Sequence, residues 1–253
     1  MKFNIKSIPP PHTLLCKCCA NQALLFDVCD FNKSPTKINL CGIPIYYYHC
    51  SFCGFVFTCA FDKWSNEEFS HFIYNQDYTY FDPDYLEVRP QSNAILLRDN
   101  LKMEQNLDVL DYGCGNGKML EILRQDGYKI EGYDAFSDKF KTKPTKKYDV
   151  IVAFEVVEHI SDVFKTFQEI FEMLKEEGVF LFSTLLQPQN ILDIGTHWWY
   201  ITPRNGHISI FTQQSLRILC QRIHCDYEIY SFSEGLHLIF NKNYPPHYFL
   251  GIQ

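Results

Sequence analysis

From residue 107 onward the chain alternates short apolar segments with amphipathic ones, and this pattern restricts the fold more than any other feature. Strands are predicted at 107–112, 129–134, 148–154, 179–184, 227–232 and 236–241, and helices at 116–125, 162–175 and 213–223. Alternating strands and helices are typical of a doubly wound α/β fold with a mostly parallel sheet. The last two strands are joined only by residues 233–235, and so short a connection makes them antiparallel.

A glycine-rich loop directly follows the first predicted strand and precedes the first predicted helix of this region. It reads Asp111-Tyr112-Gly113-Cys114-Gly115-Asn116-Gly117. Gly113 and Gly115 allow a sharp turn and a close approach of the backbone to a ligand. Asp134, at the end of the next strand, is suited to binding ribose hydroxyls. Together these features predict a cofactor that contains a nucleoside.

Nicotinamide-dependent enzymes share this arrangement, so a dinucleotide is the alternative ligand. Their fingerprint is G-x-G-x-x-G with a pyrophosphate at the helix N-terminus, whereas this loop is G-x-G-x-G preceded by Asp111. The loop resembles motif I of class I methyltransferases that use S-adenosylmethionine (SAM), in which an acidic residue helps to place a cationic ligand. Residues 148–159 also resemble the fourth strand of these enzymes and the Glu-x-x-Glu-His that ends it.

This resemblance implies a Rossmann-like sheet, mostly parallel with a C-terminal antiparallel hairpin, and SAM as the cofactor. Only about a dozen residues separate Asp134 from Tyr148, so the third strand usual in these enzymes is expected to be shortened or lost. The predicted cofactor contacts are Asp111, Gly113, Cys114, Gly115, Asp134, Ala135, Phe136, Phe154 and Glu155.

Most of the eleven cysteines lie between residues 14 and 62. The pairs Cys16-x-x-Cys19 and Cys50-x-x-Cys53 have the spacing of metal-binding knuckles, and four thiolates suit a tetrahedral, structural Zn²⁺ site. Residues 1–62 are therefore predicted to be a small zinc-ribbon-like module. Buried free thiols are the alternative, and replacement of one ligand by Cys41 or His49 stays open.

Residues 63–105 are predicted to be a helical linker or lid that leads into a methyltransferase domain at 106–253. Ser65 and Glu68 have the spacing of a capping box, and Pro90 is expected to open a second helix. Tyr78 and Tyr80 lie in a tyrosine-rich segment at the junction and are candidate contacts for the methyl acceptor. Packing between the domains is the alternative role.

An aromatic and polar insertion, 198–207, follows the predicted strand 179–184, which corresponds to the fifth strand of the enzymes it resembles, and contains both Pro203 and Gly206. It is expected to be a loop over the cofactor rather than part of the core. Its candidate acceptor contacts are Trp199, Tyr200 and Arg204.

Two histidines are candidates for the general base. His159 ends the fourth-strand motif, and His207 ends the insertion. Histidine titrates near neutrality, so either one is expected to be able to take a proton from an acceptor hydroxyl. A structural role is the alternative for both.

The net charge of -7 at pH 7 argues against a nucleic-acid partner, which usually requires a basic face. No segment is long and apolar enough to predict a membrane span, and the N-terminus up to Pro11 does not resemble a signal peptide. Cytoplasmic location, cysteines that bind metal rather than form disulfides, and a small-molecule acceptor are therefore expected.

Across nearly the whole chain, the order of these features resembles bacterial methyltransferases that modify sugars and surface polysaccharides. In the sugar C-methyltransferases among them, a Glu-His pair shapes the acceptor site, whereas Gly206 precedes His207 here. The resemblance therefore favours SAM-dependent O-methylation of a sugar, a nucleotide sugar, or a phosphorylated or phosphoramidate-type capsule precursor. The alternatives are a sugar C-methyltransferase, an RNA methyltransferase and a SAM-binding scaffold without catalysis.

Overall fold

The computed structural model describes residues 10–34, 36 and 38–249. Its strands are β1 (Thr13–Leu15), β2 (Gln22–Asp30), β3 (Pro44–His49), β4 (Val56–Thr58), β5 (Val109–Tyr112), β6 (Ile130–Tyr133), β7 (Tyr148–Ala153), β8 (Leu174–Ser183), β9 (Ser209–Ile210), β10 (Tyr227–Ser231) and β11 (Leu236–Asn241). Its α-helices are α1 (Asn66–Phe72), α2 (Tyr78–Phe81), α3 (Val88–Ile95), α4 (Lys118–Gln125), α5 (Val163–Glu172), α6 (Ile191–Ile194) and α7 (Gln213–Ile223). Most of the N-terminal segment for which no signal peptide is predicted lies outside the described residues.

Six strands form one sheet in the order β10-β11-β8-β7-β5-β6. Strands β5 to β8 are parallel to one another, and β11 and β10 complete the sheet as an antiparallel hairpin. This confirms the predicted Rossmann-like methyltransferase sheet. Residues 134–147 contain no strand, so β6 is an edge and the expected loss of the usual third strand is confirmed.

Both faces of this sheet are covered, as a parallel sheet requires. Alternate residues of β8 enter different clusters: Phe180 packs with α5 and α7, whereas Leu181 packs with α3 and α4. The period of two along the strand sends successive side chains to opposite faces. Because both faces are buried there, the part of β8 from Val179 to Phe182 is apolar without interruption.

A second, antiparallel sheet has the order β1-β2-β3-β4-β9. Its last strand, β9, comes from the segment after β8, and Ile210 lies opposite Val56 of β4. The prediction that the insertion is a loop outside the core is therefore wrong in part. Ile201 of the insertion is fully buried, as are Ile208 and Ile210, which follow it. The segment directly after the insertion forms β9, and the insertion packs with it against this sheet. The boundaries at 62/63 and 105/106 stay a prediction.

Several helix ends differ from the prediction by a few residues. Helix α4 begins at Lys118 rather than 116, because Gly117 is left-handed with φ +81°. Helix α5 ends at Glu172, and β8 begins two residues later. Helix α3 begins before Pro90, which lies in the first turn, where the missing N–H is not needed. The predicted Ser65–Glu68 capping box is confirmed. None of the described helices combines the length and apolar character needed to cross a bilayer.

Candidate active site

A cavity of about 660 Å³ opens at the carboxyl ends of β5, β6 and β7, where ligands bind in sheets of this kind. The structure brings most of the predicted site residues to its wall: Tyr78, Asp111, Gly113, Cys114, Gly115, Asp134, Ala135, Phe136, Phe154, Glu155 and His159. These residues come from distant parts of the chain and meet because parallel strands present their ends at one edge. Their individual roles stay predictions.

The glycine loop has the left-handed backbone that its sequence predicts. Gly113 has φ +83°, and a Cβ atom there would lie 2.4 Å from Val156. Gly115 has φ +54°, and a Cβ atom there would lie 2.7 Å from the Tyr85 hydroxyl. Larger residues are therefore excluded by both conformation and space.

Asp134 joins the glycine loop to the end of β6. Its carboxylate accepts hydrogen bonds from the backbone N–H of Gly115 at 2.9 Å and of Phe136 at 2.8 Å. Each carboxylate oxygen keeps a further lone pair. The carboxylate can therefore hold the loop closed and still accept hydrogen bonds from a diol at the cavity wall.

Asp111 is almost completely buried at the end of β5, where it lines the cavity. Burial, reinforced by the nearby charge of Asp134, raises the pKa of Asp111 to about 8. A cation in the cavity would favour the ionised carboxylate and lower that pKa. The site is thus suited to a positively charged ligand, as the sequence predicts.

Arg89 is a cavity residue that sequence reasoning missed. It lies on α3, and its Nη1 donates to Asp82 Oδ2 at 2.7 Å and lies 3.8 Å from Glu155 Oε2. A single arginine in a helix belongs to no motif. Only the folded structure shows that it lies beside Glu155 and places a positive charge at the cavity wall.

An aromatic wall from the helical segment closes the cavity on another side. It consists of Trp64, Phe69, Tyr74, Tyr78 and Tyr85. Tyr74 packs against Phe136, with ring centroids 4.7 Å apart. The high aromatic content of this region indicated in the sequence that it could line a pocket, although it did not identify which rings line the cavity.

The two candidate histidines lie together, but only His159 lines the cavity. Burial, with the neighbouring charges of His207 and Arg89, lowers the pKa of His159 well below its ordinary value. Burial also lowers the pKa of His207 to about 4. Both rings are therefore neutral at pH 7, and the role of either one as a general base stays a prediction.

Behind His159 lies a buried carboxyl group. Glu158 is fully buried, and its Oε1 accepts a hydrogen bond from the Tyr200 hydroxyl at 2.7 Å. Burial, followed by the nearby charge of Glu155, raises the pKa of Glu158 to about 8. Tyr200 thus bonds to buried Glu158 and does not line the cavity.

The remaining predicted acceptor contacts do not reach the cavity wall. Tyr80 and Trp199 are exposed, with 62% and 60% of their surface accessible. Arg204 is buried against the Phe81 ring and donates to the Ile73 carbonyl at 3.2 Å. Tyr80, Trp199, Tyr200 and Arg204 therefore do not line the cavity. The insertion that carries the last three packs against the N-terminal sheet. Their role as acceptor contacts stays a prediction.

The four predicted metal ligands do come together. Cys16, Cys19, Cys50 and Cys53 are buried, and their sulfur atoms all lie within 4.8 Å of one another. Cys41 is instead exposed, and its thiol lies 3.4 Å from Asp30. The donor set is all sulfur with no open position, which fits a structural zinc ion.

Side chains from the large sheet's domain bind the backbone of these cysteine knuckles. Thr212 donates to the Cys53 carbonyl at 2.6 Å, and Gln187 donates to the Gly54 carbonyl at 2.9 Å. Lys17 in turn donates to the Ser161 carbonyl at 2.8 Å. The cysteine cluster is therefore built into the fold rather than attached by a linker.

The sheet order, the glycine loop, the acidic strand end and the cavity define the class: class I SAM-dependent methyltransferases. A family model described as a methyltransferase domain matches residues 85–228, more than half of the chain. The chain belongs to this methyltransferase family.

Several curated relatives that match are ubiquinone biosynthesis O-methyltransferases. The chain is 27% identical over 139 residues to the ubiquinone biosynthesis O-methyltransferase of Pelagibacter ubique, covering 41% of this chain and 58% of the relative. It is 26% identical to the mitochondrial ubiquinone biosynthesis O-methyltransferase of Bos taurus, covering 42% and 43%. The chain thus spans about half the length of these relatives.

Solved structures of methyltransferases are also similar. The plantazolicin methyltransferase in complex with SAH (S-adenosylhomocysteine) is 16% identical with a TM-score of 0.48, covering 68% of this chain and 93% of that one. Magnesium protoporphyrin IX methyltransferase from Synechocystis PCC 6803 with bound SAH is 14% identical with a TM-score of 0.43, covering 60% and 82%.

Proposed function

We propose that this protein transfers the methyl group of SAM to a hydroxyl oxygen of a small polar acceptor, namely a carbohydrate or phosphorylated precursor of a surface polysaccharide. The observation that supports this most is a single cavity that joins the glycine loop and Asp111 to a neutral histidine, His159. Its volume of about 660 Å³ lies in the range of small-molecule sites.

The donor is assigned to the part of the cavity around the glycine loop. Asp134 binds the ribose hydroxyls, and Asp111 faces the positive charge of the donor. Arg89 supplies a positive charge for the carboxylate at the amino-acid end, and the neighbouring Glu155 favours its ammonium group. Ala135 and Phe136, which follow Asp134 on the cavity wall, are assigned to the adenine ring, since no third strand follows β6.

The acceptor is assigned to the aromatic wall. Phe69 and Tyr74 of this wall each pack against Phe136 of the donor side, and their own faces suit the apolar face of a sugar ring. Asn66 and Lys165 also line the cavity and offer polar groups for hydroxyls or a phosphate.

The reaction is a direct displacement. The acceptor oxygen attacks the methyl carbon, the carbon–sulfur bond breaks, and the sulfonium becomes the neutral thioether of SAH. The hydroxyl proton passes to His159, which reaches the cavity and is neutral at pH 7. Holding the oxygen and the methyl group in line supplies much of the rate increase.

A phenolic acceptor is the second candidate, and two observations favour it. The curated relatives are named as ubiquinone biosynthesis O-methyltransferases. A phenol also loses its proton more readily than a sugar hydroxyl, so a histidine with a strongly lowered pKa is a sufficient base for it. The aromatic wall accommodates either ring.

We further propose a structural Zn²⁺ ion held by Cys16, Cys19, Cys50 and Cys53. Bound there, the ion would supply cross-links between the two knuckles and no chemistry to the methyl transfer. In this proposal residues 1–62 are the zinc module, 63–105 the lid and 106–253 the catalytic domain.

Turnover in a coupled assay for SAH tests the proposal. The panel contains sugars, nucleotide sugars, sugar phosphates and catechols, each with SAM. We expect methylation of one class and a loss of about 10²–10⁴-fold in His159→Gln, the usual contribution of a general base. His71→Gln, an exposed histidine outside the cavity, is the control. Absence of SAM and SAH binding by calorimetry would contradict the proposal, and full activity of His159→Gln would remove the base.

A further inference from the structure

Glu155, at the end of β7, has an unusual backbone. Its φ is +55°, and Ala20 and Lys102 are the other non-glycine residues with positive φ among those the structure describes. A left-handed conformation is costly for a residue with a long side chain, and such strain persists only where neighbours enforce it. The neighbour that binds Glu155 here is Ser183.

Ser183 is the last residue of β8, the strand beside β7. Its hydroxyl accepts the backbone N–H of Glu155 at 2.8 Å and donates to Oε1 of the same residue at 3.0 Å. The hydroxyl thus binds both the backbone and the side chain of Glu155. This pairing fixes the peptide and the carboxylate together.

The Glu155 carboxylate that Ser183 binds lies at the cavity wall. Its other oxygen, Oε2, lies 3.8 Å from Nη1 of Arg89, which is also bonded to Asp82 at 2.7 Å. Glu155, Arg89 and Asp82 all line the cavity next to the glycine loop. An anion beside a cation matches the ammonium and carboxylate of an amino acid.

We propose that Ser183 is a positioning residue for the amino-acid end of the donor pocket, because it holds Glu155 in the left-handed conformation that faces Arg89. The inference rests on the proposed function, since it assumes that this end of the cavity binds the amino-acid part of SAM. Ser183 itself does not line the cavity. It acts through Glu155.

Two donor fragments separate this role from a structural one. SAH has the amino-acid group, whereas 5′-methylthioadenosine keeps the adenosine and sulfur but lacks that group. By calorimetry we expect Ser183→Ala to weaken SAH binding by about 10-fold, the effect of losing one charge-assisted contact. Binding of methylthioadenosine is expected to change less than about 2-fold. Ser183→Thr, which keeps a hydroxyl, is expected to restore SAH binding.

The control is Ser215→Ala. Ser215 is also buried and also bonds through its hydroxyl, but to Thr212 in the cap of α7, away from the cavity. We expect it to bind both ligands as the wild type does. Thermal unfolding of each variant separates lost folding from lost binding.

A second variant tests the strain. Glu155→Gly removes the steric penalty of positive φ, so we expect an unchanged or higher Tm together with weaker SAH binding. Equal weakening of both ligands in Ser183→Ala, or SAH binding at the wild-type level, would overturn the inference while leaving the proposed function intact. A wild type that binds neither ligand would overturn both.

Discussion

The imidazole rings of His159 and His207 meet edge to face, with centroids 4.8 Å apart and planes at 84°. Nδ1 of His207 lies 2.8 Å from the Tyr200 carbonyl. Because a carbonyl oxygen only accepts, this nitrogen carries the hydrogen and Nε2 is left as an acceptor. His159 lines the cavity, whereas His207 packs against His159 and does not line it.

The first prediction concerns the stability contributed by His207. In the unfolded chain a histidine takes up a proton near pH 6.5, whereas the folded His207 stays neutral down to about pH 4. Its contribution to the free energy of unfolding is therefore present above pH 6.5 and lost as the pH falls. His207→Asn keeps a donor for the Tyr200 carbonyl and removes the titration.

Urea unfolding at pH 7 and pH 5 measures this effect. Between these two values we expect the stability of His207→Asn to fall by about 2 kcal/mol less than that of the wild type. The same decrease in both proteins would mean that His207 does not hold its neutral form.

The second prediction concerns donor affinity and pH. Because the pKa of Asp111 is about 8 in the free protein, the carboxyl is largely protonated at pH 6.5. A cationic donor favours the carboxylate, so its binding releases a proton. We expect the Kd for SAM to fall as the pH rises from 6.5 to 8.5, by at most about 10-fold per pH unit.

Calorimetry in two buffers of different ionisation enthalpy measures the released proton directly. Asp111→Asn is expected to bind more weakly and to lose this part of the pH dependence. Since the donor's own ammonium group titrates equally in both experiments, identical pH profiles for the two proteins would exclude Asp111 as the linked group.

The third prediction concerns Gly206, which has φ +87° and lies against His159. A Cβ atom there would lie 2.7 Å from His159 Nδ1 and 3.2 Å from the Tyr74 hydroxyl. Gly206→Ala is therefore expected to displace His159 and to lower acceptor turnover by at least about 10²-fold, the contribution of a general base. SAH binding is expected to change little, because the displacement lies outside the glycine loop.

Gly42→Ala is the matched control, since Gly42 has φ +77° with nothing within 4 Å of its added Cβ atom. It measures the cost of the left-handed backbone alone. If Gly206→Ala lowered Tm and turnover no more than Gly42→Ala does, contact with His159 would not be the cause.

The fourth prediction concerns the four-cysteine site. Native mass spectrometry is expected to find one zinc ion per chain, and Cys53→Ser is expected to lose it. Structural zinc contributes roughly 10–16 kcal/mol in small peptides, so this variant should also lose the fold of the N-terminal sheet. Cys225→Ser, an exposed thiol outside the cluster, should keep both. A purified wild type without metal would refute the site.

Much of the fold could be predicted because its signals are local. The glycine loop, the apolar strands and the Ser65–Glu68 cap each need only a few neighbouring residues to specify a backbone conformation. The two CxxC pairs are likewise local patterns. The prediction that the four cysteines lie together needed one further assumption, that they bind the same metal ion. Errors of a few residues at α4 and α5 arose because Gly117 delays the start of α4 and because β8, which begins at Leu174, ends α5 early.

The sequence by itself determined the class of this protein. Hydrophobic periodicity predicts the consecutive strands and the helix between them, and the loop at 111–117 and Asp134 follow directly at the ends of those strands. Only the tertiary structure decided which side chains face the cavity. Arg89 and Ser183 lie on separate elements and both contact Glu155. Because β9 pairs with the N-terminal sheet, Tyr200 and Arg204 pack near that sheet rather than at the cavity. Such contacts depend on packing between residues far apart in the chain, and no local pattern records them.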